Sequence, residues 1–443
     1  MSGHSFDTGA ADLAFRERIS AFSSSKAVFE ASRCIECSGA PCVKACPVHV
    51  DIPGFISKIK AGDLMGADRT ILEKCILPGT CARTCPSEEL CVKSCCVEDL
   101  LGPVTISDLQ RFAADYGLKH GVRESCEQKT NAKRIGVVGS GPAGLSAAAE
   151  LAREGHSVVV FESNRLPGGA LTYSIPSYRL PKDIVRGKID YIRGMGVKFE
   201  MNTRIRHLKE LRERYDAIFA GVGLSEPVLL DIPGKELRGV VSGIDFLREI
   251  NRSLIENRGL KNLTGKRVAV VGGGDLAMDA AICAAKLGAK RVHLFYRRSF
   301  EEMPAAPLSL QVAKEVGVMF WTLAAPRRAI GDHQGNVSKL VCIETKLEGT
   351  DKFGRRLPVV VEGTEFKVDV DYFVAAVGQQ PGKDAMQLGM RTLPEGTIII
   401  DEKGRTSDPT VFAGGDVSSG GATVIQAVAD GMKAADSIAS YLT

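Results

Sequence analysis

The sequence predicts a mixed α/β protein with an α-helical, cysteine-rich N-terminal domain. Ten of the thirteen cysteines in this 443-residue chain lie between Cys34 and Cys96, in a region with few β-branched runs. From about Asn131 onward, hydrophobic segments of strand length alternate with helical ones, as in doubly wound α/β folds. Two strands lead into glycine-rich turns at Gly139 and Gly272. This combination predicts two interleaved Rossmann-like nucleotide-binding domains after the helical domain.

The N-terminal 125 residues are predicted to form the helical domain. Amphipathic spacing and helix start signals indicate four helices, at Asp12–Phe22, Ile52–Ile59, Asp63–Ile71 and Val104–Tyr116. The polar stretch 121–131 lacks periodicity, which is typical of a linker between domains.

The clustered cysteines form two runs that suit metal binding. The first contains Cys34, Cys37, Cys42 and Cys46, followed by Pro47, and the second contains Cys85, Cys91 and Cys95. Thiolates bind soft metals, and short cysteine runs closed by Cys-Pro are typical of bacterial ferredoxins. The runs therefore predict a ferredoxin-like domain with two 4Fe-4S clusters, although four residues separate Cys37 from Cys42, where two are usual. Structural zinc is the alternative, since Cys-x-x-Cys pairs also bind zinc.

Composition limits the remaining function classes. The formal net charge of +4 gives no argument for binding nucleic acid or a membrane surface. There is no apolar run of about 18 residues, the length that spans a bilayer, and the N-terminus does not resemble a signal peptide. Clustered cysteines without a secretion signal favour a reducing, cytoplasmic location.

The first glycine-rich turn is predicted to bind a dinucleotide. Gly139, Gly141 and Gly144 follow a predicted strand and precede a helix, whose N-terminus favours a pyrophosphate. Glu162 lies 23 residues after Gly139, at the end of the next strand. A carboxylate at this offset accepts hydrogen bonds from ribose hydroxyls.

The second turn carries Gly272 and Gly274, with Ala277 in the third small position. Its next strand ends in Arg297 and Arg298, where an NAD site would place an acid. Guanidinium groups can bind a 2′-phosphate by charge-assisted hydrogen bonds, which favours NADPH over NADH. The alternative is that the two arginines are a solvated charge pair at the strand end.

A third element lies near the C-terminus, where a short strand ends in Gly415 and Asp416 and a helix begins near Thr423. This carboxylate could hold a ribityl hydroxyl while the helix N-terminus faces a flavin ring. The candidate cofactor-binding residues are therefore Gly139, Gly141, Gly144, Glu162, Gly169, Gly272, Gly274, Asp275, Ala277, Arg297, Arg298, Gly378, Gly415, Asp416 and Thr423.

Together, the cysteine runs and both glycine-rich turns resemble a family of NAD(P)H-oxidising subunits that carry FAD and iron–sulfur clusters. The family includes the small subunit of glutamate synthase, and the chain looks most like the electron-input subunit of bacterial dihydropyrimidine dehydrogenase. The segments that carry this second likeness are Glu88–Cys91, Gly102–Phe112, Ile175–Pro181, Gly272–Asp279 and Ala376–Gln379.

The resemblance implies how the chain is divided and what it does. It implies an FAD domain at 126–240 and 376–443, with an NAD(P)H domain inserted at 241–375. It also implies one cluster on Cys34, Cys37, Cys42 and Cys95, and a second on Cys46, Cys85, Cys91 and Gln110, with Cys96 as the nearest substitute for Gln110. Electrons would enter from NADPH, or NADH, and pass through FAD and the clusters to a partner subunit.

The resemblance further implies a hetero-oligomer whose partner is an FMN subunit reducing uracil or thymine. A glutamate synthase large subunit and a ferredoxin are the alternative partners. Hydride transfer needs oriented rings and no acid–base side chain, so no catalytic residue is assigned. A disulfide reductase would need a redox Cys-x-x-Cys near the flavin, and only Cys283 lies on the second fold. A cluster-bearing redox sensor without turnover is the non-enzymatic alternative.

Overall fold

The computed structural model describes residues 14–17, 21–97, 102–121, 124, 126–127, 129–351 and 354–443. Parts of the predicted helix Asp12–Phe22 and of the predicted linker 121–131 lie outside these residues. The prediction of that helix is wrong for the described residues 15–17 and 21–22, which are turn or irregular, and the first helix of the structure begins at Ser24. The chain divides into two compact units. One is built mainly from Pro227–Gln379, and the other from Glu17–Thr172, Arg179–Glu226 and Gln380–Thr443.

The cysteine-rich region is helical, as predicted. Its α-helices are Ser24–Ser32, Pro41–Ala45, Ile52–Lys60, Leu64–Leu72, Pro78–Thr84 and Ile106–His120, with a 3₁₀ turn at Ser87–Glu89. Two helices begin at aspartate caps, where Asp51 accepts from the Gly54 amide at 3.0 Å and Asp63 accepts from the Gly66 amide at 2.8 Å. Phe55, Ile56 and Ile59 are buried along one face of Ile52–Lys60. This spacing explains why the periodicity located the helix correctly.

A buried charge network fixes the helix Pro78–Thr84, which leads directly into Cys85. Arg83 is at its centre, with Nε 2.6 Å from Glu17 and Nη2 2.7 Å from Asp115. Its Nη1 also donates to the carbonyl of Gly79 at 3.0 Å. Both acids therefore compensate a guanidinium that burial would otherwise penalise.

The same unit contains a five-stranded parallel sheet. In spatial order its strands are Val411–Ala413, Ala217–Ala220, Arg134–Val138, Ser157–Phe161 and Lys198–Glu200. The helices that follow or flank these strands are Pro142–Arg153, Ala170–Tyr173, Lys182–Gly194, Lys209–Arg212, Lys383–Gln387, Asp416–Ser419 and Val424–Leu442. The strand Val411–Ala413 thus completes a sheet whose other strands all lie between Arg134 and Ala220.

The helical region and the sheet region of this unit are in contact. Arg153, at the end of Pro142–Arg153, donates to the carbonyl of Leu72 at 3.0 Å and pairs with Glu124 at 3.0 Å. Gly187 packs so closely on Leu118 that a Cβ there would lie 2.5 Å from the leucine side chain. The cysteine-bearing helices are therefore held directly against the first glycine-rich fold.

The other unit has its own five-stranded parallel sheet. Its strands, in spatial order, are Val240–Ser242, Tyr372–Ala375, Arg267–Val271, Arg291–Tyr296 and Met319–Thr322. Its α-helices are Gly243–Ile255, Asp275–Lys286 and Pro307–Glu315. An antiparallel sheet of Ala324–Gly331, Val337–Thr350, Arg356–Val360 and Phe366–Asp369 adjoins it. The sequence analysis did not predict this antiparallel sheet.

The remaining short strands are Glu226–Pro227 and Gln379–Gln380, and a 3₁₀ turn lies at Phe300–Glu302. Within the described residues, no helix combines the length and the apolar character needed to cross a membrane.

The C-terminal helix is packed so closely that adding one methyl group at Gly431 is expected to destabilise the protein. Gly431 of Val424–Leu442 lies against Pro142–Arg153, where a Cβ would come within 2.3 Å of the Ala143 carbonyl oxygen. We expect Gly431→Ala to lower the free energy of unfolding by about 1–3 kcal/mol, because the helices must move apart. Thermal denaturation measures the change.

Gly194→Ala is the matched control, because a Cβ at Gly194 meets nothing within 4 Å. We expect this control to change stability by less than about 1 kcal/mol. Equal destabilisation by the two variants would contradict the packing argument.

Candidate functional site

The first group of predicted ligand cysteines surrounds one cavity in the helical region. Cys34, Cys37, Cys42 and Cys95 all line it. Apolar side chains, among them Ile52 and Ile56 of one helix and Val104 and Ile106 near another, complete the lining. Three thiols of the first run and one thiol of the second run therefore line a common space.

Burial and neighbouring thiols keep Cys34 and Cys42 protonated in the absence of metal. Burial first, and then the nearby Cys37 thiol, raises the pKa of Cys42 to about 11. Burial also raises the pKa of Cys34. Because only thiolates ligate metal, iron must displace protons when it binds here.

The three cysteines of the second predicted group, Cys46, Cys85 and Cys91, also lie near one another. Burial first, and then the neighbouring Cys46 and Cys42 thiols, raises the pKa of Cys91 to about 12. The pKa of Cys85 is raised by burial and then by Cys91 and Cys46. Gln110 lies on the helix Ile106–His120, and its Nε2 donates to the carbonyl of Pro78 at 2.9 Å. This bond fixes the amide beside the helix that leads into Cys85.

Three thiols outside the predicted ligand sets also occupy defined positions. Cys75 and Cys81 are buried, with their sulfur atoms 3.6 Å apart, in the neighbourhood of Cys46 and Cys85. Cys96 is exposed and lines the first cavity. The sequence offered no signal for this placement, because Cys96 follows Cys95 directly and could equally have faced the second group.

The residues around the first cavity fit an iron–sulfur cluster. No group of three or more described His, Cys, Asp or Glu side chains is arranged to hold a single metal ion. The four thiols instead line one pocket whose other walls are mostly apolar. Soft ligands on the walls of such a space suit a cluster of several iron atoms.

The first glycine-rich turn is shaped by two close backbone contacts. A Cβ on Gly144 would lie 2.0 Å from the Gly139 carbonyl oxygen, and one on Gly139 would lie 2.5 Å from the Gly221 oxygen. A Cβ on Gly141, in contrast, would meet nothing within 4 Å. Gly141 caps the helix Pro142–Arg153, so this open side exposes the helix N-terminus. The turn therefore offers the space and the amides that a pyrophosphate requires.

Glu162 binds the turn to the end of the second strand. Its side chain is 4% exposed, and its Oε2 accepts from the Ser140 amide at 3.2 Å and the Ser140 hydroxyl at 2.5 Å. Its Oε1 accepts from the amide and the side chain of Asn164, both at 2.8 Å. Sequence reasoning did not single out Ser140 and Asn164, which hold this carboxylate. Ser140 also accepts from the amide of Gly168 at 2.9 Å, next to Gly169.

The C-terminal element lies in the same unit. Gly415 has a positive φ of 75°, and a Cβ there would lie 2.9 Å from Ala143 of the first turn's helix. Asp416 follows it and accepts from the Ala422 amide at 3.0 Å, while burial raises the pKa of its carboxyl. Thr423 caps the last helix by accepting from Gln426 at 3.2 Å. Three predicted residues thus lie around the start of the C-terminal helix.

Asp430, which the sequence analysis did not single out, orients this element. Its Oδ2 accepts from the Gly415 amide at 3.1 Å, and its Oδ1 accepts from Gln426 Nε2 at 3.0 Å. A carboxylate one helical turn after Gln426 was the only available sequence signal.

The second glycine-rich turn, in the other unit, is formed by similar contacts. A Cβ on Gly272 would lie 2.2 Å from the Ala376 oxygen, and Ala277 is fully buried. Gly274 caps the helix Asp275–Lys286. Asp275 accepts from the Ser309 hydroxyl at 2.6 Å and from the Ala306 amide at 3.3 Å. Gly378 has a φ of 131°, and its carbonyl accepts from Val228 at 3.1 Å.

The two arginines after the second strand have different environments. Arg298 is 6% exposed, and its Nε donates to the carbonyl of Arg356 at 2.7 Å, with Asp351 3.8 Å from Nη2. Arg297 is exposed, and its guanidinium has no hydrogen bond or ion pair within the described part of the chain. Of the predicted pair, Arg297 is therefore the guanidinium available to an anion.

Two family models match the chain. Residues 133–431 match the pyridine nucleotide-disulphide oxidoreductase family, and residues 11–122 match dihydropyrimidine dehydrogenase domain II, which is described as carrying a 4Fe-4S cluster. The first match covers both glycine-rich turns, and the second covers all the predicted ligand positions.

Two curated relatives match over most of this chain. The small chain of NADPH-dependent glutamate synthase from Escherichia coli is 34% identical, over 97% of this chain and 94% of that protein. The beta subunit of the NADP⁺-dependent formate dehydrogenase of Moorella thermoacetica is 39% identical over 91% of this chain. The match spans 60% of the length of that subunit.

Among solved structures, Mycobacterium tuberculosis FprA in complex with NADPH aligns with a TM-score of 0.62 and 20% identity. The alignment covers 70% of this chain and 85% of FprA, and it shows the shared fold. The relatives in sequence are NADPH-dependent oxidoreductase subunits, and the matched families supply FAD, NADPH and 4Fe-4S iron–sulfur clusters as cofactors. The chain belongs to this family of NADPH-dependent FAD and iron–sulfur oxidoreductase subunits.

Proposed function

We propose that this chain is an electron-input subunit, which takes hydride from NADPH and delivers single electrons to a partner subunit. The observation that carries the proposal is the cavity on which Cys34, Cys37, Cys42 and Cys95 converge. Part of its wall reaches the surface, where Ile35 is 60% exposed. A redox group at this position would lie close enough to the surface to serve a docked protein.

In this proposal the chain holds two 4Fe-4S clusters. The first is ligated by the four cavity cysteines, and the second by Cys46, Cys85, Cys91 and Gln110. The hydrogen bond from Gln110 Nε2 to Pro78 supports the last assignment, because it fixes the amide and leaves Oε1 as the ligating atom. When bound, FAD accepts a hydride and the clusters carry electrons one at a time.

The first glycine-rich fold would hold FAD, with its two segments at 126–240 and 376–443. The open side of Gly141 and the amides of Pro142–Arg153 would bind the pyrophosphate. Glu162 would accept from ribose hydroxyls, sharing its oxygens with Ser140 and Asn164. Asp416 would hold the ribityl chain. Gly169 and Thr423 would line the same site.

The second fold, at 241–375, would bind NADPH and would be interleaved with the first. Gly272, Gly274 and Ala277 would let the backbone approach the pyrophosphate, with Asp275 fixing the loop around Ala306. We assign the 2′-phosphate to Arg297. Arg298 would act as a positioning residue that holds the strand Arg356–Val360 beside it. Gly378 would border this site.

The partner is proposed to be the subunit that reduces the final substrate. Two observations favour an FMN subunit that reduces uracil or thymine. They are the short segments that resemble dihydropyrimidine dehydrogenase and the match of residues 11–122 to domain II of that family. The 34% identity to the glutamate synthase small chain over nearly all of both proteins favours a glutamate synthase large subunit. Because all thirteen cysteines are free thiols, we also propose a reducing, cytoplasmic location.

Substitution of a ligand in the second group tests the cluster assignment. We expect wild-type protein purified without oxygen to contain about eight iron atoms, and Cys91→Ala to contain about four, because one 4Fe-4S cluster is lost. Iron and sulfide analysis with electron paramagnetic resonance (EPR) measures this. Cys126→Ala is the control and should keep all the iron. Zinc in place of iron in the wild type would contradict the assignment.

We expect substitution of Arg297 to weaken NADPH binding and substitution of Arg298 to lower the stability of the fold. Arg297→Ala should raise the KM for NADPH about 10- to 100-fold, through the loss of about 1.5–3 kcal/mol of charged hydrogen bonding. NADH kinetics should change little. Arg298→Ala should mainly lower the melting temperature, because it removes the contacts with Arg356 and Asp351. A wild type that uses NADH as well as NADPH would refute the phosphate role.

Delivery to the partner is expected to depend on the second cysteine group. Cys46→Ser should keep its FAD and its NADPH-dependent reduction of a small dye. Its rate of electron delivery to the partner should fall roughly tenfold, a loss of about 90% or more. Cys126→Ser is the matched control. Equal loss of dye reduction and delivery would mean that the cysteines serve only to stabilise the domain.

The identity of the partner follows from the same assay. NADPH-dependent reduction of uracil or thymine with an added FMN subunit would support the first candidate. Glutamine-dependent glutamate formation with a large glutamate synthase subunit would support the second. An absence of any NADPH-dependent dye reduction would instead favour a redox sensor.

A further inference from the structure

A polar contact joins the helix before the first cysteine run to the segment after the second run. Glu30 lies on the helix Ser24–Ser32, and Arg33 is the residue that ends this helix. Arg33 Nη1 lies 2.7 Å from Glu30 Oε1, and the same oxygen accepts from the Thr105 amide at 2.8 Å. Arg33 Nη2 donates to the carbonyl of Gly102 at 2.5 Å. Glu30 and Arg33, called the clamp below, therefore hold the later segment at two points.

The clamp is buried and charged. Glu30 is 8% exposed. Burial alone would raise the pKa of Glu30, but the Thr105 amide and the Arg33 guanidinium lower it below its usual value. The carboxylate is therefore ionised at neutral pH, and its bond to the Thr105 amide is charge-assisted. Bonds of this kind are short and directional, so they fix the position of the segment that they hold.

The held segment reaches a predicted cluster ligand. Val104 lies between the two points of attachment, is 1% exposed and lines the first cavity. Its amide donates to the Cys95 sulfur at 3.5 Å. Cys34, which directly follows Arg33, lines the same cavity. The clamp thus connects a ligand of the first cysteine run with a ligand of the second.

An amide donor on a ligand sulfur affects how readily a cluster is reduced. Reduction adds a negative charge, part of which resides on the ligand sulfur atoms. An N–H group that points at such a sulfur stabilises this charge, and hydrogen bonds to sulfur are among the factors that set cluster potentials. If the Val104 amide moves away from Cys95, the cluster becomes harder to reduce.

We propose that Glu30 and Arg33 are positioning residues of the first cluster, which set its potential by holding the Val104 amide on the Cys95 sulfur. The inference rests on the proposed cluster in this cavity and adds control of its potential. The cluster accepts one electron as before, and no bond is made or broken in the clamp. Because the two charges of the clamp are opposite, their direct effects on the cluster largely cancel, and the position of the amide remains.

Substitutions that conserve charge test the proposal. Glu30→Asp keeps the negative charge, but the side chain is one methylene too short to reach Thr105. Arg33→Lys keeps the positive charge and loses the planar fork that reaches Glu30 and Gly102 at once. At a fixed potential near the midpoint, the ratio of reduced to oxidised first cluster should fall about three- to tenfold in both, as loss of one hydrogen bond implies. EPR-monitored redox titration of the full chain, purified without oxygen, measures this ratio.

The signal of the first cluster is identified as the one that Cys42→Ala lacks. The potentials of FAD and of the second cluster should stay unchanged and serve as internal references. Arg193→Lys is the matched control, because Arg193 pairs with Asp190 at 2.8 Å with the same spacing along another helix. Val104→Pro removes the amide hydrogen itself and should reproduce the fall in the ratio.

A variant of conserved length separates position from charge. Glu30→Gln keeps an oxygen that accepts from the Thr105 amide and loses the negative charge. We expect no fall in the ratio, since the segment stays in place and one negative charge near the cluster is gone. An equal fall in Glu30→Gln and Glu30→Asp would overturn the positioning role.

The outcomes separate this inference from the proposed function. If Glu30→Asp and Arg33→Lys keep their iron and show an unchanged ratio, the clamp does not set the potential, while the cluster remains assigned to the cavity. Loss of the first cluster from both variants would also contradict the inference, because the clamp would then assemble the site and not tune it. If Cys42→Ala keeps all its iron, the cluster is not in this cavity and both proposals fail. Melting temperatures verify folding, and the two clamp variants decide the test if Val104→Pro does not fold.

Discussion

A thiol ligates iron only as a thiolate, and the helical N-terminal region is built around this requirement. Burial raises the pKa of Cys42 to about 11 and of Cys91 to about 12. Protonated thiols repel each other less than thiolates, so the helices can assemble before metal arrives. Metal binding then displaces the protons and couples cluster insertion to the final stability of the domain.

The charge network around Arg83 serves the same requirement. A cluster can form only if cysteines from separate segments are held at the right places before iron binds. Glu17 and Asp115 hold the helix that leads into Cys85, and the Gln110 side chain is anchored on that helix. Ionic contacts of this kind are specific in direction, whereas apolar packing alone would allow the helix to slide. They therefore suit a site that demands fixed geometry.

The two glycine-rich turns make the same kind of close backbone contact, and they differ in the side chains around them. In each turn a backbone carbonyl oxygen leaves no room for a side chain. An added Cβ would lie 2.0 Å from this oxygen at Gly144 and 2.2 Å from it at Gly272. The chemistry diverges at the end of the second strand. In the first fold, Glu162 accepts a hydrogen bond from Ser140. In the second, Arg297 is exposed, and the neighbouring Arg298 donates to Arg356 of the antiparallel sheet. The same backbone thus presents an acceptor in one fold and a cation in the other.

Features that depend on local spacing could be predicted from the amino-acid sequence. The helices Ile52–Lys60 and Leu64–Leu72 follow from periodicity and aspartate caps, and the two turns follow from glycines at positions where no Cβ fits. The two cysteine runs likewise identified iron–sulfur chemistry. These signals are readable because each acts over a few residues.

Contacts between residues that are far apart in sequence could be seen only in the tertiary structure. It brought Cys96 to the cavity of Cys37 and engaged Arg298 with Arg356, 58 residues away. It also added the strand Val411–Ala413 to a sheet that begins at Arg134. Adjacent residues such as Cys95 and Cys96, or Arg297 and Arg298, look equivalent in a sequence. Packing separates them, because neighbouring side chains point in different directions and only one of each pair meets a given partner.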